Sequence, residues 1–448
     1  MLYIPPKLWN VLACFAPAFS APTFGRFALL TLSAILTAGA RTISNLVRTL
    51  QALLPGHASS YHRVFSKRKW SSWSIAHSLV DLILGTFVKD GDVIHLAGDD
   101  TVDEHRGAKV YGKGCHRDAV RSSNSHTSFY WGHKWVTLAI LVKLPFSKRR
   151  WALPVLVGLY RSKKWNDQHG KRHKTPAEIM QSLLAVLVRW YPVRRFRVSL
   201  DGGYATHALA RFASHHQRQL TLVSRFYSDA NLYELPPLKA GSVGRPCKKG
   251  KKALTPAQIV ARSKAQRMTV TWYGGEKRRV EVVSNVGYWY KGGVGLLPVR
   301  WVFVRDLTGT HRDEYFFTTD CRLVPKFIIE TYTERWSLEV SYEEARAYVG
   351  LGSTRCHSQS SVEREAPFLF GLYSLIVILY SLLPMSEQHH YQLSWVGKQT
   401  TTFSDVITTV RRCLWEDWVF ETTGQKDAFS KLPKPLREML LTGLAPAA

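Results

Sequence analysis

Between Asp92 and Tyr227 the chain carries an ordered series of apolar runs and turn signals that few folds can accommodate. "DVIHLAGDD" reads as a strand ending in acids. "HKWVTLAILVKLP" and "RWALPVLVGLYRS" read as two more strands, each apolar enough to be buried on both faces. "TPAEIMQSLLAVLVRWY" opens with Thr175, Pro176 and Glu178, the capping pattern of a helix start. "RFRVSLDGGYA" is a strand running into a Gly-Gly turn, "THALARFASHHQ" a helix and "QLTLVSRFY" another strand. The order β-β-β-α-β-α-β puts antiparallel strands first and crossover helices after them, which predicts an α/β fold on a mixed sheet.

The flanking regions read differently. Residues 1–88 are expected to be helical, with a basic, aromatic patch, "SYHRVFSKRKWSSWS", that reads equally as a DNA grip or a solvated face. The core, residues 89–227, is followed by residues 228–322, whose strand-like pieces "RMTVTWYGG", "RRVEVVSNVGYWY", "VRWVFVRD" and "EYFFTTD" predict a β-rich insertion subdomain. A basic loop, Arg245 to Lys252, lies inside it. Residues 323–352 return to a helix, and residues 353–448 form a helical C-terminal region. Ala366 to Ser386 carries no charge and could span a bilayer by length, but its isolation favours a helix buried all round in a core.

Charge then narrows the partner. With 61 Lys and Arg against 33 Asp and Glu, the net charge is +28. A surplus of that size predicts a polyanion, because each neutralised phosphate releases condensed counterions. Six cysteines lie far apart with no CxxC pair, which predicts neither a disulfide framework nor a zinc site and fits a reducing cytosol. The N-terminus lacks the charged region and cleavage site of a secretion signal, so a cytoplasmic, nucleoid-associated protein is expected. His105, His116, His126 and His133 fall in one basic segment, read as a mobile loop near the DNA path rather than a zinc site.

Against this surplus, three acidic spots stand out. Asp99-Asp100 ends the first core strand and Asp201 the fourth, where open α/β sheets build their sites. The third lies in "YTERWSLEVSYEEARAYVGL". On one continuous helix, Tyr332, Arg335, Glu339, Tyr342 and Arg346 occupy an arc of roughly 80°, with Ile329, Trp336, Val340 and Ala347 beside it as the expected anchor on the sheet. Arg335 and Glu339 have the spacing of a plain surface ion pair. Combined with strand-end aspartates in a basic chain, the pattern points instead to carboxylates that hold divalent cations against phosphate.

Tyr332, Arg335, Glu339 and Arg346, spaced Tyr-x2-Arg-x3-Glu-x6-Arg, resemble the third-acid signature of bacterial insertion-sequence transposases of the DDE type, whose last position is usually lysine. "GDDT" and "LDGGYA" resemble the two aspartate strands of that family. The resemblance, from about Val93 to Leu351, implies an RNase H-like, retroviral-integrase-like core. It implies Asp99, Asp201 and Glu339 as catalytic acids that bind two Mg²⁺ ions, with Mn²⁺ as a substitute. Asp100 and Glu343 are the rivals at the first and third places. It also implies Tyr332, Arg335 and Arg346 as contacts to the DNA end, and double-stranded DNA (inverted-repeat ends and target) held by a homodimer, with no membrane. Trp272, Trp289 and Trp301 are candidates for stacking a flipped base, though each reads first as core or sheet packing. The implied activity is cut-and-paste transposition, with a DNA-binding relic or another metal-dependent nuclease as alternatives.

Overall fold

The computed structural model describes residues 6–117, 122, 125–237, 247–390, 396–398 and 400–447; Arg245 and Pro246 of the basic loop lie outside them. The chain opens with helices α1 (Pro6–Ala13), α2 (Ala21–Leu36), α3 (Ile43–Thr49), α4 (Ala58–Ser66) and α5 (Ser72–Phe87). Strands β1 (Val93–Glu104), β2 (Gly114–Arg117), β3 (Phe129–Val142) and β4 (Trp151–Tyr160) follow. Next come α6 (Lys163–Gln168), α7 (Pro176–Trp190), β5 (Arg195–Leu200), α8 (His207–His215) and β6 (Leu220–Arg225). As Thr175 and Glu178 predict, α7 starts with a reciprocal capping box.

Strands β1, β3 and β4 form an antiparallel meander, and β5 and β6 run parallel to β1. The core order β4-β3-β1-β5-β6, with α7 and α8 as the crossovers, is the RNase H-like topology. Short β2 shares an edge of β3 with β4, and it turns part of the histidine segment from the expected loop into sheet. His105, His116 and His133 are buried there, and among the described residues no three His, Cys, Asp or Glu side chains form a metal cluster.

The β-rich stretch is not a separate unit. Strand β7 (Leu232–Tyr233), helix α9 (Pro256–Arg262), β8 (Gln266–Thr271), β9 (Lys277–Lys291), β10 (Gly295–Asp306) and β11 (Glu314–Thr318) continue the same sheet, because β11 pairs antiparallel with β6. Backbone groups at the edge of β6 thus find partners that a closed core would leave to solvent.

After β11 come α10 (Pro325–Glu334), α11 (Trp336–Val349), α12 (Gln359–Ser381), α13 (Met385–His390) and α14 (Phe403–Leu414). Helix α12 carries most of the uncharged run, Ala366 to Ser381, and it lies against β4, α4, α5, α11 and α14. Its Leu369, Phe370, Leu372, Ile376, Val377 and Ile378 are buried, each contributing roughly 1.5–3 kcal/mol of transfer free energy. Among the described residues no helix is long and apolar enough to cross a membrane.

One acid inside this packing titrates unusually. Glu365 on α12 is buried beside Cys356, and loss of solvation pushes its carboxyl up to about 7. The folded state therefore binds a proton more tightly than the unfolded state. The resulting stability is fully present below the unfolded value and is lost as pH rises through 7. Glu365→Gln should match wild type in urea unfolding at about pH 4 and exceed it at pH 8 by on the order of 3 kcal/mol.

Candidate active site

Gly98, immediately before the two aspartates, lets two elements close on β1. A Cβ there would fall 2.4 Å from Leu200 Cδ2 and 2.6 Å from Met180 Cε, so the ends of both side chains would have to shift. The strand's alternation then turns Asp99 and Asp100 to opposite faces. Asp100 meets Lys134 Nζ at 2.7 Å and accepts from the Tyr204 hydroxyl at 2.9 Å. Asp99 points to the other face, where its carboxylate is bound by the Arg335 guanidinium.

Arg335 gathers more than Asp99. Its Nη2 lies 2.8 Å from Glu339 Oε1 and 3.7 Å from Asp201 Oδ1. Asp201 sits just past the end of β5, where it also accepts from the Tyr332 hydroxyl at 3.2 Å. Asp99, Asp201 and Glu339, from strand, turn and helix, thus surround one cation. Of the rivals, Asp100 faces away, held by Lys134 and Tyr204, and Glu343 is exposed on α11.

Burial pushes Asp99 up to about 7; Arg335 pulls it back, while Asp100 and Asp201 push it up further. Burial also raises Asp201, but Arg335, the Gly202 N–H, Arg225 and the Tyr332 hydroxyl outweigh it and hold Asp201 below the usual carboxylate range. Arg335 itself is buried, and burial alone would lower it. Asp99, Tyr332, Glu339 and Asp201 keep it firmly charged.

The third-acid segment departs from the single helix expected of it. Helix α10 ends at Glu334 and α11 begins at Trp336; between them the Arg335 N–H bonds to the Tyr332 carbonyl and the Leu338 N–H to the Arg335 carbonyl, tighter than an α-turn. The expected anchors fail accordingly. Ile329 is buried, but Trp336 and Ala347 are exposed and Val340 is only half-buried. Leu338, Tyr342, Ala345 and Val349 face the core instead. The reason lies in two separate apolar clusters. Helix α10 packs Ile328, Ile329 and Tyr332 with Val270, Trp272, Val280 and Phe316 of the added strands, whereas α11 packs on β4, β1 and α12. The turn at Arg335 is where the chain passes from one cluster to the other.

The residues expected at the DNA also sort by burial. Tyr332 is fully buried, stacked on Phe316 with ring centroids 4.3 Å apart, and Arg335 is turned inward on the acids. In this structure both touch carboxylates. Arg346 is exposed and donates to the Thr101 hydroxyl and to the Val102 carbonyl. Trp272, Trp289 and Trp301 are packed at 4%, 8% and 0% exposure, so none presents a ring to a flipped base.

Sequence reasoning missed the support around the acids. Arg225, at the end of β6, lies over the Tyr332 ring and pairs with Glu314 at 2.6 Å. Tyr204 and Lys134 fix Asp100. No local pattern marks these residues, because each gains its role from a strand or turn distant in sequence.

Residues 14–279 match the DDE superfamily endonuclease family, a span that takes in Asp99 and Asp201 and stops short of Glu339. The chain belongs to the DDE superfamily endonuclease family. A cryo-EM structure of a piggyBac transposase synaptic complex with hairpin DNA aligns over 97% of this chain and 81% of its own, at 11% identity and a TM-score of 0.40, a likeness too slight to bear on function. No curated protein matches the chain.

Removing Arg335 should expose its part in holding this site together. Arg335→Met leaves buried Asp99 without its counter-charge and should cost about 3–5 kcal/mol in urea unfolding. Arg335→Met with Asp99→Asn should recover much of that loss, because the uncompensated charge is gone.

Proposed function

We propose that the protein is a DNA transposase that cuts phosphodiester bonds at the inverted-repeat ends of its element and joins the freed 3′-hydroxyls to target DNA. The observation that carries this reading is the convergence of Asp99, Asp201 and Glu339 on a single positive centre, at the end of an RNase H-like sheet. Family membership supports endonuclease chemistry.

The acid set fits hard divalent cations. Three carboxylates from separate elements converge on one charge, and oxygen donors of this kind suit Mg²⁺ or Mn²⁺. Such ions, when bound, supply charge stabilisation for the attacking and leaving oxygens of an in-line displacement. Asp99, Asp201 and Glu339 would hold them, and Arg335 keeps the three acids in register until then. Tyr332 orients Asp201 through its hydroxyl, with Arg225 and Glu314 fixing the Tyr332 ring from behind. Arg346, exposed and donating to the Thr101 hydroxyl, would take a phosphate of the DNA end.

In the first step water's oxygen bonds to phosphorus and the P–O3′ bond breaks, leaving a 3′-hydroxyl and a 5′-phosphate. In the second step that 3′-hydroxyl bonds to a target phosphorus and displaces another 3′-oxygen, so the number of phosphodiester bonds is conserved. Both ends must be processed together, which calls for two copies of the chain on paired ends.

The test uses the DNA flanking the gene as substrate. Asp99→Asn, Asp201→Asn and Glu339→Gln should each lower metal-dependent strand cleavage by at least about 100-fold, within the range set by loss of electrostatic stabilisation. Gel-shift binding of the same DNA should remain. Wild-type cleavage rates in Asp201→Asn would overturn the assignment.

A further inference from the structure

A second charged surface lies outside the acid site. From Arg161 to Lys174 the chain reads "RSKKWNDQHGKRHK", six Lys and Arg against a single acid, Asp167. It follows β4 directly, and Lys163, Lys164, Lys171, Arg172 and Lys174 are all exposed. A loose basic run would be only a solvated face, but this one is built on a ring scaffold. Trp165 is stacked by His169 at 3.9 Å, and Tyr111 meets its edge at 5.2 Å. The guanidinium of Arg161 lies 5.3 Å from the Trp165 ring centre, and Lys171 lies 5.5 Å from that of Tyr111. Arg161 also donates to the Tyr111 hydroxyl at 2.7 Å. Tyr111 ties the scaffold to the core through backbone bonds with His133 and His357.

Its place in the sheet matters as much as its charge. Asp99 pairs with Thr137 on β3, and Thr137 with Val157 on β4. Since β4 runs in the same sense as β1, Arg161 lies four residues beyond the level of the acids, roughly 13 Å along the strand direction at about 3.3 Å per residue. Asp201 sits at the same C-terminal end of the parallel strands.

We propose that the Arg161–Lys174 surface is a seat for the sugar-phosphate backbone of double-stranded DNA, holding the duplex as it runs away from the acids. This rests on the reading that the protein acts on DNA, and it names the surface that bears the flanking duplex. Phosphates rather than bases are the target, because the Trp165 ring is covered by His169 and flanked by cationic side chains and so has no face for a base. Point charges on long side chains over a fixed scaffold recognise backbone without reading sequence. Trp165 acts here as a positioning residue.

The experiment compares affinity for a linear duplex of arbitrary sequence, by fluorescence anisotropy, between about 50 and 200 mM salt. One variant is Lys163→Ala/Lys164→Ala/Arg172→Ala. The comparator removes three charges from exposed positions in the C-terminal region, Lys426→Ala/Lys431→Ala/Lys434→Ala. The first should flatten the slope of log affinity against log salt by about 2–3 and weaken binding about tenfold or more near 100 mM salt. The comparator should change the slope by less than half as much. Trp165→Ala, which removes no charge, should also weaken binding, and Trp165→Phe should restore it. Equal slopes in the two triple variants, or no change in the first, overturn the proposal. If wild type cuts DNA in an Asp201-dependent way while the first variant binds unchanged, this surface falls and the transposase reading stands. If wild type binds no duplex at any salt, both fall.

Discussion

The buried guanidinium of Arg335 is the interaction on which the site depends. Three carboxylates from three stretches of chain share it, and each would be repelled by the others without it. Two like charges about 4 Å apart cost on the order of 4 kcal/mol at the effective dielectric of a protein surface, and a buried pair fares worse. A delocalised, planar cation with several donors can serve three acids at once, which a lysine ammonium could not do with the same directionality. Asp99, the most buried of them, still has its carboxyl raised to about 7 despite that contact.

What aims Arg335 is packing, not helix propensity. The added strands β8 to β11 form an apolar cluster that holds Tyr332 and the rest of α10, while β1, β4 and α12 hold α11. The chain must turn between these two surfaces, and it turns at Arg335. Continuity of the sheet through β6 and β11 makes the β-rich region part of the site's foundation. It fixes Tyr332, which in turn fixes Asp201.

The positive charge of the chain is likewise organised on different scales. Arg335 and Arg364 are spent inside the fold, on carboxylates and on backbone carbonyls respectively. Arg346 and most of the basic side chains of the Arg161–Lys174 segment remain at the surface. A net charge of +28 does not distinguish these uses, since interior pairing and surface attraction count the same in a total.

Much of the architecture was legible from local pattern. Strand-length apolar runs, the Thr175–Glu178 cap and the Gly-Gly turn after Asp201 determine their elements by short-range physics, and their order admits few topologies. That Asp99 rather than Asp100 meets Arg335 is not a local matter: it follows from which face of β1 receives α11, with Met180 and Leu200 close to Gly98 on the other. Helical periodicity also misled at Trp336, Val340 and Ala347, because a wheel assumes one buried face and cannot see that two apolar clusters cover different faces of its two halves. The tryptophans of the added strands are core, as their sheet context favoured, since burial depends on which sheet face is covered. The sequence by itself determined the elements, their order and the residue types able to hold cations and phosphate. Only the tertiary structure decided which of those residues meet, because their partners come from β1, the turn after β5 and α11, and no local signal spans those separations.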